Sequence, residues 1–483
     1  MPRPGVDISL VEVAPARTPP TDTGVFFAVG PAAQGDQTQA VLVRSMAEFE
    51  SKFGARVTYS YLWDAMDCFY KEGGSDAYIA RVVGPAPVVA TVTLKDGSNA
   101  NTLQVNANSP GAWGNNLRIA VLQGSVGGTF VLQVSDNLGN ILEVSRDLTD
   151  ENDAIAWSYA SDYIDLVDVG TTLSDPAVVA ATPLIGGTDD NTNITEANWT
   201  TALGQFTNDL GPGQVAMPGR TTPAAQANLL AHAATFNRVA LVDGTDSGSK
   251  ATLKSVAQGL RGVPNARHAA FFAPWAVVPG LIAGTTRTVP WSAIEAGIIA
   301  RNDASGLSPN IAAAGIQYGQ ALYPIALSQP KFSDADRAEM NGAGVNLAVQ
   351  QFGGIMAYGY RTLTDPNQDP NWIQFSNSRL YMAIVADADA VGENYVFSQI
   401  DGKGVTIGAF GGALASMLMN YYNEGSLYGD TPDQAFAVDT GSSVNTPQTI
   451  ANGELHAVLR VKMSPFAEYV VIEIVKRLIT DIL

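Results

Sequence analysis

Asp243 and Asp246, in the stretch "VALVDGTDSGS", carry the strongest hint of chemistry in this chain. The apolar run before them reads as a parallel strand, and ligands of open α/β sheets gather at the carboxyl ends of such strands. Two carboxylates placed there would suit Mg²⁺ and a metal-dependent α/β hydrolase. Strand ends also take Asp and Gly because turns need them, and that structural reading is the preferred one. The overlapping "GTDSGSKAT" (244–252) has the residue types of a phosphate loop with its glycine and lysine misplaced. A G-x-S-x-G nucleophile elbow is absent from the sequence.

The remaining chemistry-bearing residues are scattered. His232, His268 and His456 have no acidic or cysteine partner at ligand spacing, so each reads as a surface or satisfied core residue. Cys68, the single cysteine, sits in the helical pattern "SYLWDAMDCFY" and reads as a buried inert thiol. "DADAVGENY" (387–395) lacks the third acidic ligand and terminal Glu of a calcium loop. "TDDNTNITEANWT" reads as a solvated loop with Thr195 or Asn193 at a helix start, and its sequons at Asn193 and Asn198 matter only on a secretory route. No catalytic residue, metal site or cofactor is assigned, and an enzyme is not expected.

Composition narrows the classes further. The 483 residues allow two to four domains, and 46% hydrophobic residues are ample for real cores. Only 15% are charged, with a mean hydropathy of +0.06, which points to surface buried against other chains. A net charge of −19 argues against a nucleic-acid partner. The start, "MPRPGVDISLVEV", is read as no signal peptide, and no apolar run reaches the ~18 residues of a membrane span. The expected setting is a cytosol-like compartment, or release from one by lysis.

The elements that would position these residues form several blocks. "VDISLVEV" alternates as a strand between Pro4 and Pro15 and has no adjacent hairpin partner. Residues 24–83 read as mixed α/β, with Ser45 and Glu48 as a capping box opening the helix "SMAEFESKFG". From about 86 to 187 short β runs alternate with Gly/Asn/Asp/Ser turns, the pattern of an inserted all-β module. Helices and strands alternate again from 195, as in an open, largely parallel sheet with covering helices. A proline-dotted, loop-rich stretch follows, with prolines at 274, 279, 290, 309, 324 and 330. The last third holds helices at "NSRLYMAIVADAD" and "GAFGGALASMLMNYYNEG" and strands at "ELHAVLRVKM" and "AEYVVIEIV".

"NANSPGAWGNNLRIAV" (106–121) places Trp113 between Gly111 and Gly114 ahead of a strand. A phosphate loop would open a helix with its free N–H groups. A strand pattern follows instead, so Trp113 is expected to cover the open end of the β module.

Taken in order, "PGVDISLVEV", "SMAEFESKFG", "YLWDAMDCFYKEGGSDAYIARV" and "NSPGAWGNNLRIAV" resemble the contractile tail sheath proteins of bacteriophages. The resemblance continues through "LIGGTDD", "FFAPW", "NWIQFSNSRLYMAI", "NYYNEGSLYG", "QAFAVDT" and "NGELHAVLRVKMSPFAEYVVIEI", and is loose over 280–350. Arg379 stands alone where many relatives pair two arginines, so no specific ion pair is carried over to it. Phe466-Ala467 replaces the usual Pro-Ala before Glu468.

The resemblance implies a multidomain mixed α/β subunit that polymerises as stacked hexameric rings around an inner tail tube. It would assemble in a metastable extended state in the host bacterial cytoplasm and contract once, as part of a virion. The implied partners are its own copies, the inner tail tube protein, and baseplate and tail terminator proteins, with no nucleic acid and no membrane insertion. Related sheaths serve phage-derived injection particles and secretion systems. The expected layout is an N-terminal linking arm (1–20), α/β core (21–85), protruding β-module (86–187), α/β core (188–360) and a C-terminal, tube-facing domain (361–483). Strand exchange between subunits is expected for Val6, Asp7, Ile8, Ser9, Leu10, Val11, Glu12 and Val13, and for Glu468, Tyr469, Val470, Val471, Ile472, Glu473, Ile474 and Val475. Residues 456–483 carry a net charge of +1 on a strongly acidic chain, which suggests Lys476 and Arg477 for contact with an acidic tube.

Overall fold

The computed structural model describes residues 22–170, 174–246, 248–329 and 332–473. At its centre lies a nine-stranded sheet. Six adjacent strands run parallel, in the spatial order Val345–Gln351, Ala269–Ala273, Val239–Asp243, Gln214–Ala216, Phe26–Gly30 and Ala77–Arg81. Antiparallel strands close both edges: Val41–Val43 on one side, Gly354–Ala357 and Gln320–Ala321 on the other. Several central strands are continuous apolar runs because helices cover both faces of a parallel sheet. All five residues of Phe26–Gly30, of Val239–Asp243 and of Ala269–Ala273 are buried.

Alternate side chains feed two cores. Phe26, Leu241 and Phe272 face the helices Leu62–Lys71 and Ser292–Ala304; Phe27, Val242 and Phe271 face Glu196–Leu203, Pro223–Thr235 and Lys250–Arg261. Leu62–Lys71 buries two carboxylates, Asp64 and Asp67, against this core. Arg287, reaching in from the strand Thr286–Val289, binds both, so neither charge is left unpaired. Cys68 on the same helix is fully buried, and burial raises its thiol pKa well above the ordinary value.

Two local expectations need correction. Ser45 does cap the helix Met46–Phe53, its Oγ accepting from Glu48 N–H at 3.1 Å, but the Glu48 carboxylate accepts from the Arg44 amide rather than from Ser45. The capping is therefore offset by one residue. The proline-dotted stretch contains the thirteen-residue helix Ser292–Ala304. Ten of those residues are buried, so the helix is apolar nearly all round and has no 3.6-residue stripe to betray it.

Residues 91–183 form a separate β sandwich. Its four-stranded sheet runs Val179–Pro183, Arg118–Gln123, Phe130–Ser135 and Ile141–Val144; its three-stranded sheet runs Thr91–Lys95, Asn101–Ala107 and Ile164–Asp168. Leu103, Val105, Ile119, Val121, Leu132, Val134 and Leu166 fill the space between, forming a core of their own. The sandwich also carries one short helix, Glu151–Ser158, which Asp150 caps. Its two connections to the central sheet pair with each other: Gly84 N–H donates to Asp189 O at 2.9 Å, and Val88 and Thr91 bridge Thr188 and Ile185.

The stretch around Trp113 builds this junction. Ala112–Asn116 make one 3-10 turn, and Trp113 is half-buried against the sandwich core with Nε1 donating to Ser109 O. Gly111 has φ 141°, and a Cβ there would meet Ala33 O at 2.9 Å, so only glycine fits. Asn115 binds both the N–H and the carbonyl of Gly187, and Ser109 Oγ accepts from Gly35 N–H of the main core. These residues fasten one fold to another.

Candidate assembly surface

The paired aspartates do not make a metal site. Asp243 ends the strand Val239–Asp243 as expected, but its carboxylate is buried and consumed. Oδ1 accepts from Ser292 N–H at 2.8 Å; Oδ2 accepts from Ser292 Oγ at 2.7 Å and Gly219 N–H at 3.1 Å. It thereby satisfies orphan donors at the start of Ser292–Ala304 and locks that helix to the strand end. Burial pushes its pKa up to about 6, although the three donors favour the anion. Asp246 contributes its backbone carbonyl to Gln329 and Ser328 instead. Beside Asp243, the Tyr61 ring packs edge-on against Trp275 at 5.0 Å and lies so close to Gly219 that an added Cβ there would meet it at 2.5 Å. Among the described residues no group of three His, Cys, Asp or Glu side chains is placed to hold a metal. The hydrolase reading is withdrawn.

The buried histidines and the acidic stretch at 387–395 serve the fold as well. His232 lies against Arg238, and burial first, then that charge, lowers its pKa to about 3. His268 is lowered to about 4, chiefly by burial. "DADAVGENY" is the end of the helix Phe375–Glu393 rather than a loop, and Asp387 within it accepts from Tyr421 Oη at 2.6 Å. Among the described helices none is long and apolar enough to cross a membrane.

What stands out lies where the chain leaves the core at its carboxyl end. Val458–Val461 pairs with Phe436–Asp439 as an isolated two-stranded sheet, both outer edges of which are free of other strands among the described residues. Met463 bridges Leu427, and Ser464 N–H donates to Ser426 O. Gln374 then clamps the backbone of Phe466: Nε2 donates to Phe466 O at 3.0 Å and Oε1 accepts from Phe466 N–H at 3.2 Å. The Phe466 ring packs on the main core beside Tyr360. Arg361 donates to both carboxylate oxygens of Glu468, and that partner raises its pKa.

Beyond this pinned root no further hydrogen bond is made among the described residues. Tyr469, Val470, Val471 and Ile472 are 85%, 71%, 75% and 79% exposed, and no strand forms through them. Four consecutive β-prone residues thus lie exposed, their backbone unpaired among the described residues. Of the expected exchange residues, Glu468 is held in its ion pair and Tyr469 to Glu473 are free of regular structure. Ile474, Val475, Lys476, Arg477 and all of the expected exchange residues Val6 to Val13 lie outside the described residues.

The amino-terminal root is fixed at a second point. Thr23 Oγ1 donates to Asp303 Oδ2 at 2.7 Å, and Gln214 Nε2 donates to the Thr23 carbonyl. Asp303 also accepts from Arg379 Nη2 at 2.9 and 2.6 Å. Arg379 is 1% exposed; burial works against its charge, but Asp303 and Tyr360 outweigh it and raise its pKa. Arg379, to which no ion pair was carried over from the resemblance, thus finds its own partner in Asp303. A lone arginine in the apolar pattern "NSRLYMAIVADAD" was the signal of this pair, because a buried guanidinium must find an anion.

No protein-family model matches the sequence, and no curated protein matches it. Solved structures do. The chain is similar to a sheath tail protein from Listeria innocua (14% identity, TM-score 0.64, 88% of this chain and 90% of that one). It is also similar to a sheath tail protein from Desulfitobacterium hafniense (14%, 0.59, 90% and 93%) and to the helical sheath of the anti-feeding prophage in its contracted state (14%, 0.55, 99% and 100%).

Proposed function

We infer from its multidomain mixed α/β fold, shared with the solved sheath proteins, that this chain belongs in an assembly of that kind. We propose that it is the structural subunit of such a sheath, polymerising as stacked hexameric rings around an inner tube and contracting once to drive the tube through a bacterial envelope. The observation that carries this reading is the pinned carboxyl root followed by an exposed, β-prone tail, on a fold otherwise known in sheaths. Val6–Val13 of one copy and 468–475 of another would add strands to free sheet edges of their neighbours, such as those of the Phe436–Asp439/Val458–Val461 pair. Main-chain bonds of that kind survive rotation of the bodies they join. A head-to-tail contact that does not close into a ring generates the helix of a sheath.

The layout 1–20, 21–85, 86–187, 188–360 and 361–483 is our proposal for arm, core, protrusion, core and tube-facing domain. The separate sandwich core, joined through one paired stem, supports the third of these. Genome ejection from a phage virion is the preferred reading; capsid and terminase genes beside this one would support it, and toxin genes an injection particle. Tube, baseplate and terminator proteins are the proposed partners. The test is deletion of residues 1–14: the product should be folded and soluble and should form no tubes by electron microscopy. Regular contractile tubes from the truncated chain would overturn strand exchange by this arm.

A further inference from the structure

The two roots are joined inside the subunit. From Thr23 the hydrogen bonds run to Asp303, from Asp303 to Arg379, and from Arg379 Nη1 to Pro309 O at 3.2 Å. The next residue, Asn310, donates from Nδ2 to Ser464 O at 2.8 Å and to Ser426 O at 3.3 Å. Ser308 Oγ is bonded to Ser426 Oγ as well. Thr23, Arg379, Asn310 and Ser426 are each buried, at 6%, 1%, 8% and 2% exposure. A continuous polar thread thus runs through the core, from Thr23 at the amino-terminal root to Ser464 at the carboxyl root.

We propose that the Asp303–Arg379 pair is a relay that couples the two arm roots, so that loosening one root loosens the other. The reason is the cost of an unpaired buried charge. If Thr23 withdraws, Asp303 loses a donor and is freer to turn. Arg379 has no solvent to accept the slack, so it must follow its carboxylate. The Pro309 carbonyl and the Asn310 loop then lose their support, and with them the hold on Ser464. By linkage the reverse path has the same strength. Asp303 and Arg379 act here as positioning residues, and the inference rests on the reading of the termini as linking arms. In an assembled sheath it would let one neighbour's pull be felt at the joint with another.

Amide hydrogen exchange on the full-length chain tests this without requiring polymerisation. Thr23→Val removes only the hydroxyl at the amino-terminal root. Exchange in peptides covering 459–468 should speed up between about twofold and tenfold, the range of one buried hydrogen bond, and Thr23→Ser should restore the wild-type rate. Asn310→Leu should speed exchange in 24–30 in return. Faster exchange confined to each variant's own surroundings, or no change in either, overturns the relay. Transmission between the roots combined with normal tubes from the 1–14 deletion would keep the relay and sink strand exchange, so the two failures are distinguishable.

Discussion

An aspartate scan of the exposed tail, with single variants Tyr469→Asp, Val470→Asp, Val471→Asp and Ile472→Asp, separates assembly from folding. In the subunit these side chains are 71–85% exposed, so each change should leave the unfolding free energy within about 0.5 kcal/mol of wild type. Joined to a neighbouring sheet, alternate residues would turn inward. Full burial of a Val or Ile side chain contributes about 1.5–3 kcal/mol, and a buried carboxylate adds its own desolvation cost. A loss of ~2–3 kcal/mol at an inward position is ~30–150-fold in the association constant of each joint. Outward positions should lose little, so the effect should alternate with residue parity. Critical concentration for tube formation, by sedimentation and electron microscopy, reads the joint; thermal melting of the unassembled subunit reads the fold. Equal losses at all four positions would exclude a paired strand. Unchanged assembly throughout, or a parallel drop in melting temperature, would refute the reasoning altogether.

Replacing residues 88–184 with a short Gly/Ser linker should leave a soluble, folded core that still polymerises, because the stem at Gly84 and Asp189 already brings the ends together; loss of all folded protein, read by circular dichroism and microscopy, would count against it. Glu295 is fully buried, and burial pushes its pKa up to about 8, with Trp291 and Arg379 opposing and Glu72 reinforcing the rise. The folded state therefore holds a proton that the unfolded state releases above about pH 4.5, and stability should fall by up to ~1.4 kcal/mol per pH unit towards pH 8. Glu295→Gln should flatten that part of the curve in denaturant titrations at several pH values, and an unaltered slope would rule the assignment out. Reversing Lys476 and Arg477 to Glu should slow sheath growth on tubes at low salt, with growth rates by light scattering as the check; normal growth removes them from the tube contact.

The sequence made the sheet legible because its central strands are short apolar runs bounded by turn residues, as in "VALVDG" and "AAFFAPW". It hid Ser292–Ala304 for a related reason: a helix buried on all sides loses the periodicity that marks amphipathic ones. The end of the strand at Asp243 was legible, yet the task of its carboxylate was not. That task depends on Ser292, a residue brought close only by the fold. Asp303 and Arg379 meet in the same way, across separate helices, and no local spacing encodes the pair. The resemblance in ordered motifs found the fold where no family model matched. Among those motifs, the glycines of "SPGAWGNN" are tied to a junction that tolerates no Cβ at Gly111.

The bare tail also sets a clock. A free subunit exposes Tyr469 to Ile472, a stretch of the kind that pairs with any open sheet edge, including a wrong one. If the chain polymerises as proposed, its safe lifetime would shorten as subunits accumulate, because mispairing grows with the square of concentration while capture by a growing end grows only linearly. The net charge of −19 works in the opposite direction, holding free copies apart at low ionic strength. Salt that screens this repulsion should shift the balance towards disordered aggregate unless growing ends are plentiful. In the proposed assembly, supply of subunits and supply of nuclei would then have to be matched in time, a constraint on expression set by four exposed side chains.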